Sequence, residues 1–399
     1  MPTTMSTAIR KGTDSAATAE DAVGVCLSKL GAKKPGLVIC YCSAKYDYEK
    51  VVATLRRETG RVPLIGCSSA GEFTEDEVAT GSIAVGILSS DSHKFFTACS
   101  DGLREDPNQC VAKTVAQFPE TVEGHPHRSY LLYADGLAGK GEESVLAALV
   151  QLGSGVRVSG GTAGDDLKLE RTFVFCDDTV AQDSIAMCFW ASKTMPATTL
   201  RHGHEPLSPL LTFTKVKNNV LCEVDGRPAW DVWKEHVRDS VKALLGLDVD
   251  TVSDTTDVFR ILGGYEAGLL VGENDYKMRS PLSKNDDGSL NFTCSIYEGS
   301  KFRIMKTSED ALIRSAGAAA KHALLGASGQ RVAGVLTFDC AARLMILGDE
   351  FRRSVGSIRD QIGPGTPLLG FEAYGEICLR EGEISGFHNT TTVVTIVPD

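Results

Sequence analysis

Glu72 and Glu376 close two ten-residue segments that repeat one another, PLIGCSSAGE from Pro63 and PLLGFEAYGE from Pro367. Carboxylates at matching places could together bind the ammonium group of an amino acid or amine, or serve as acid and base. Each could equally accept hydrogen bonds from its own loop and hold that loop's shape. Between them Cys67, Ser68, Ser69 and Gly71 are small enough for backbone N–H groups to approach a ligand, and the hydroxyls add donors. A second glycine-rich turn, GGTAGDD at 160–166, supplies Gly161, Thr162, Asp165 and Asp166, the aspartates suiting either a ligand or an Asx-type turn. Neither turn has the Gly-x-x-x-x-Gly-Lys-Ser/Thr order of a phosphate loop, and GGTAGDD carries two acids in place of a lysine, so nucleotide phosphate is disfavoured. Where the repeated segments disagree, Cys67, Ser68 and Ser69 stand against Phe371, Glu372 and Tyr374. These positions are expected to choose the ligand, while the shared Pro, Gly and Glu build the loop.

Cys67 with His388 as its base would make a nucleophile. Nothing adjacent lowers the thiol pKa, and the acids nearby raise it. The chain has no Gly-x-Ser-x-Gly elbow and no His-Glu-x-x-His motif. A cysteine or acid/base enzyme acting on a small metabolite therefore stands as the alternative from another class. Haem b is an alternative cofactor, since one imidazole in an apolar pocket suffices as axial ligand; His388 and His204 are the candidates. No Cys-x-x-Cys-His is present, so covalent haem is excluded. Cys40-Tyr41-Cys42 is the only close pair among twelve scattered cysteines, and no second pair completes a tetrahedral metal set. The cysteines read as small core hydrophobes of a reduced, cytoplasmic protein.

Alternating helices and strands must position these residues. Stripes of period 3.6 run through Ala19, Ala22, Val23 and Cys26, through Tyr48, Val51, Val52 and Leu55, through Val111, Val115 and Phe118, and through Val145, Leu149 and Leu152. Apolar strand-like runs lie between them at 37–42, 129–133, 173–176 and 185–190. The order helix, strand, helix, short strand, glycine-rich loop, strand occupies 16–88 and recurs over 107–190, which predicts a layered α/β fold. Residues 193–210 hold three prolines and no helical period, and read as a linker and plausible hinge. A hairpin turning at Asn218 and Asn219 follows, then a helix opened by Pro228. Thr307-Ser308-Glu309-Asp310 has capping-box spacing before an Ala-rich helix. The strand at 334–338, a helix near 350–358 and the second repeat then replay the N-terminal plan.

At 399 residues the chain is too long for one ordinary core, and two domains are expected. The division is a disordered start at 1–15, one domain at 16–192, the linker at 193–210 and a second domain at 211–399. A net charge of −11 disfavours a nucleic-acid or anionic-lipid surface. No apolar run approaches the ~20 residues that span a bilayer, and the N-terminus has no apolar core of a secretory signal.

GCSSAGEF at 66–73, VSGGTAGDDL at 158–167, VKNNVLCEVDGRPAWDVW at 216–233, and the late GFEAYGEI and FHNTTTVV together resemble the FIST proteins, from about Ala16 to the end of the chain. The resemblance implies an intracellular sensory module that binds a small ligand and signals to a separate kinase, cyclase or receptor, with a haem-binding nitric-oxide sensor as the variant within the family. The expectation is thus a two-domain α/β sensor for a small polar ligand such as an amino acid, held by the glycine-rich loops.

Overall fold

The strand Leu37–Ser43 is buried along its whole length, and its side chains alternate between two cores. Leu37, Ile39 and Tyr41 face a central cluster, while Val38, Cys40 and Cys42 face the helices Ser15–Leu30 and Tyr48–Glu58. A strand covered on both faces needs apolar residues at every position, which is why LVICYC shows no alternation. The computed structural model describes residues 2–153, 155–252, 254–273, 275–380, 383 and 385–399.

This arrangement occurs three times. The first unit runs from strand Thr4–Arg10 through the two helices just named to strands Leu64–Ser69 and Ile83–Ser89. In the second, His93–Asp101, helix Pro107–Val115, His127–Ala134, helix Gly141–Leu152, Arg157–Thr162 and Ser184–Ser192 take the corresponding places. In the third, these are Ala197–Arg201, helix Glu309–Gly326, Val332–Cys340, helix Phe351–Ile362, Leu368–Ala373 and Thr392–Pro398. Each unit makes a sheet whose central pair is parallel and whose flanking pairs are antiparallel. Helices cover each outer face. The inner faces meet in one core, where Tyr41 stacks on Phe371 with ring centroids 4.3 Å apart and its hydroxyl lies 2.7 Å from that of Tyr133.

Each unit also lends a hairpin to its neighbour. Glu72–Thr74 of the first pairs with Leu368–Ala373 of the third, Val174–Cys176 of the second with Leu64–Ser69 of the first, and Gly375–Leu379 of the third with Arg157–Thr162 of the second. The exchange closes a cycle and completes three six-stranded sheets. A fourth sheet, with helices Ala229–Leu245 and Thr255–Gly264 and its own core, is inserted in the third unit between Ala197–Arg201 and Glu309–Gly326. The protein is thus α/β with two domains, a body of three related units and an inserted domain.

Several sequence expectations change. The stretch 1–15 holds an edge strand, Thr4–Arg10, paired antiparallel with Ile83–Ser89; its Met5 and Ile9 join the central core. The proposed linker and hinge at 193–210 contains the edge strand Ala197–Arg201, bonded to Thr392–Pro398. The two halves are not separate bodies, because hairpins from each complete sheets of the other. The helix expected after Thr307 is capped by Ser308, whose hydroxyl accepts from Ala311 N; the Thr307 hydroxyl instead donates to Gly203 O.

Candidate functional site

Gly66, Gly160 and Gly370 occupy the same step of the three parallel strand pairs, opposite Cys40, Leu132 and Thr337. A Cβ at Gly66 or Gly160 would run into the carbonyl oxygen of Cys40 or Leu132, so the close approach of the backbones requires glycine there. Six residues beyond each glycine stands an acid: Glu72, Asp166 and Glu376. The fold therefore brings three acids of matching position to one end of the central core.

Their partners differ. Glu72 accepts from Ser69 Oγ at 2.5 Å and from the Ser82 hydroxyl. Glu376 accepts from Thr391 N and Thr391 Oγ1, both at 2.9 Å, through one oxygen, and its other oxygen has no partner. Ser82 and Thr391 immediately precede corresponding strands, so the two glutamates are held in the same way. Asp166 takes the Ser43 hydroxyl at 2.8 Å instead. Beside them lies Glu372, whose backbone bonds the first loop (N to Gly71 O at 2.8 Å, O from Ala70 N at 3.0 Å). Both of its carboxylate oxygens are buried without a hydrogen-bond partner. Asp339, its strand neighbour, is engaged by Arg343 at 2.7 Å and by Thr392 Oγ1 at 2.6 Å.

Burial dominates the electrostatics. It raises Glu72 to about 8 and holds Glu372 and Glu376 well above the usual carboxylate range, with Asp339 adding like charge at both. Arg343 opposes this at Glu372, but its guanidinium is already committed to Asp339 and to Ser315, Ser354 and Leu312 O. The acids thus share too little positive charge to ionise together.

The inserted domain closes on the same end. Its Glu266 accepts from Ser280 Oγ at 2.7 Å and Thr390 Oγ1 at 2.5 Å, and burial raises it to about 7. Thr390 has φ 52°, a left-handed conformation that a β-branched residue rarely adopts, so its fixed contacts hold a strained backbone beside Thr391 and Glu376. The Cys340 thiol is pushed well up by burial and by the charges of Glu376 and Glu266, which places both acids within electrostatic reach of one group.

The predicted site residues divide into two sets. Ser69, Gly71, Glu72, Glu372 and Glu376 gather in this carboxylate cluster. Cys67, Ser68, Gly161, Thr162, Asp165 and Tyr374 build the frame around it. Cys67 is fully buried opposite Val174, and Ser68 Oγ accepts from Phe173 N. Thr162 Oγ1 donates to Gly375 O, and Asp165 accepts from Leu169, Glu170 and Arg171 N and from the Tyr374 hydroxyl. Tyr374 is half-buried and the other residues of these two sets are buried, because the exchanged hairpins roof the loops. Burial, with Cys40 and Glu72, drives the Cys67 pKa well up, in line with the sequence argument against a nucleophile there. Sequence reading missed Asp339, Arg343, Glu266, Ser82 and Thr391; aligning the third copy of the unit with the first would have marked Ser82 and Thr391.

Both haem candidates are buried and held in polar contacts. His388 Nε2 lies 3.3 Å from Cys378 O, and its ring is held neutral by burial and by Lys277 and Arg279. His204 packs with Nε2 3.9 Å from Glu266 and Nδ1 on His202 O. An apolar groove of about 420 Å³ between the inserted helices and helix Ala341–Leu347, lined by Leu244, Phe259 and Met345, includes no histidine. These residues do not fit haem b.

The repeated α/β units and the roofed carboxylate cluster define a two-part module whose loops meet at one end. The chain belongs to the FIST family, with a FIST N domain over residues 36–227 and a FIST C domain over residues 229–379; these are sensory, signal-transduction-type domains. Their boundary falls within the inserted domain, not at 193–210. An uncharacterised protein of Methanocaldococcus jannaschii is 24% identical over 263 residues, covering 63% of this chain, and the chain spans about half the length of that curated relative. Among solved structures, a cyanuric acid hydrolase described as an evolutionary innovation by structural concatenation covers 100% of both chains at TM-score 0.34 and 10% identity. Another, from A. caulinodans, covers 99% of both at TM-score 0.32 and 9% identity. At TM-scores this low neither neighbour defines the chemistry of this chain. No helix among the described residues is long and apolar enough to cross a membrane.

Proposed function

We propose that this protein is a sensor in which the carboxylate cluster binds the cationic group of a small metabolite, an amino acid or related amine, and that binding is relayed to a separate protein such as a kinase, cyclase or receptor. The observation that carries this reading is Glu372, with both carboxylate oxygens buried and unpaired among Glu72, Glu376 and Asp339. A buried carboxylate without partners is costly, and an ammonium group would supply both charge and donors. Because the cluster is roofed, binding selects a form in which the inserted domain moves away from the 385–391 segment, and the ligand shifts the population by its differential affinity. The relay then lies in the position of that domain.

Thermal melts of the full chain against a panel of amino acids and amines test this. A subset is expected to raise the melting temperature, more strongly as pH rises through about 8, where Glu72 loses its proton. Glu372→Gln is expected to abolish that rise while the unliganded protein still unfolds cooperatively. An undiminished ligand response in Glu372→Gln would sink the assignment.

A further inference from the structure

Cys99 and Cys176 meet where two sheets touch. Cys99 belongs to strand His93–Asp101 of the second sheet, and Cys176 ends the Val174–Cys176 strand that the second unit lends to the first sheet. The two strands lie against each other. Thr97 Oγ1 donates to Asp177 at 2.9 Å, and Cys99 follows Thr97 by two residues, so it points the same way, toward the residue before Asp177. Both side chains face the central core at this seam, where the Cys176 and Thr179 side chains are neighbours of Cys99. Cys99 is partly exposed and Cys176 is buried.

The contact makes the two sulfurs unequal. The neighbouring Cys176 and Thr179 side chains hold the Cys99 pKa below that of an ordinary thiol, against the cost of its partial burial. The same contact and burial push Cys176 far up. Cys26, Cys40, Cys67 and Cys188, by contrast, are raised by burial alone or with minor help. The attacking sulfur is thus the one that solvent reaches, and its partner lies on the strand packed against it.

We propose that Cys99 and Cys176 form a peroxide-oxidisable pair that closes to a disulfide across the seam between the first and second sheets. Cys99 Sγ attacks one peroxide oxygen, the O–O bond breaks, and the leaving hydroxide takes up a proton to become water, which leaves a sulfenic acid. Cys176 Sγ then attacks Cys99 Sγ; the S–O bond breaks and the released hydroxide takes the Cys176 proton. Two thiols lose two electrons, and hydrogen peroxide becomes two waters. The bond would tie the 163–173 loop, with Asp165 and Asp166, to the second sheet.

The full chain, treated with hydrogen peroxide, denatured and alkylated, is read by non-reducing peptide mapping. Ten of the twelve cysteines are expected to alkylate (twelve minus the pair), with a Cys99–Cys176 peptide two hydrogen atoms lighter that dithiothreitol restores. Cys99→Ser, at a partly exposed position, is expected to leave Cys176 reduced. The wild-type map decides even if a Cys176 variant fails to fold. Sulfinic Cys99 beside free Cys176, a cross-link between other cysteines, or twelve alkylated thiols would each overturn the proposal.

Discussion

At the residue scale, the central core contains one polar contact that a mutation cycle isolates. The Tyr41 and Tyr133 hydroxyls are fully buried and 2.7 Å apart, each the other's partner. Removing one leaves a buried hydroxyl unsatisfied, while removing both leaves a purely apolar contact. Tyr133→Phe is expected to cost about 1–3 kcal/mol in chemical denaturation and Tyr41→Phe/Tyr133→Phe markedly less, a non-additivity that two independent packing losses would not give. The carboxylates follow the opposite logic, since both Glu372 carboxylate oxygens lack a hydrogen-bond partner. Of these residues, the sequence displayed Glu72 and Glu376 by their shared place in a repeat. Glu372 appeared only as a position where the copies differ, and its isolation depends on Arg343 being turned toward Asp339, which no spacing reveals.

At the element scale, the glycine before each acid sets how close the parallel strands lie. Gly66→Ala and Gly160→Ala press a methyl group onto backbone, which cannot yield, and both are expected to abolish folding as judged by loss of a cooperative melt. Gly370→Ala meets the Phe73 ring instead. It is expected to destabilise by about 1–3 kcal/mol, in the range of overpacked cores, and to be partly rescued by Phe73→Leu, since a side chain can be shortened where a carbonyl cannot. Helices and buried strands were legible because their apolar periods are strong: the stripe through Ala19, Ala22, Val23 and Cys26 is the buried face of Ser15–Leu30. The strands Thr4–Arg10 and Ala197–Arg201 were not. Short edge strands take their structure from the neighbour they pair with, and TMSTAIR or ATTLR alone has too little apolar pattern to announce that.

At the scale of the whole molecule, the buried acids set how stability responds to pH. Glu72 and Glu266, ordinarily near 4.5, are raised to about 8 and about 7 in the folded protein. Between those limits the native state keeps protons that the unfolded chain releases, so stability falls as pH rises. His202 and His204, held down at about 4 and about 3, act in the opposite sense below their ordinary 6.5, where the unfolded chain binds the extra protons. The melting temperature of the unliganded protein is therefore expected to decline from pH 6.5 to about 8, and Glu72→Gln to flatten that decline; a rise across this interval would contradict the acid cluster. The three-unit body was half visible in sequence, since the repeat was read twice in the N-terminal half and once near the end, but the insertion at 205–306 pulled the third copy apart. The cyclic exchange of hairpins also governs how the chain is born. Thr74 pairs with Leu369, 295 residues later (369 minus 74), so at roughly 5–20 residues per second the first hairpin leaves the ribosome and waits on the order of 15–60 s for its partner strand. Through that interval the nascent chain carries an open strand edge that only its own last unit covers, and release of a truncated chain would leave that edge free to capture another.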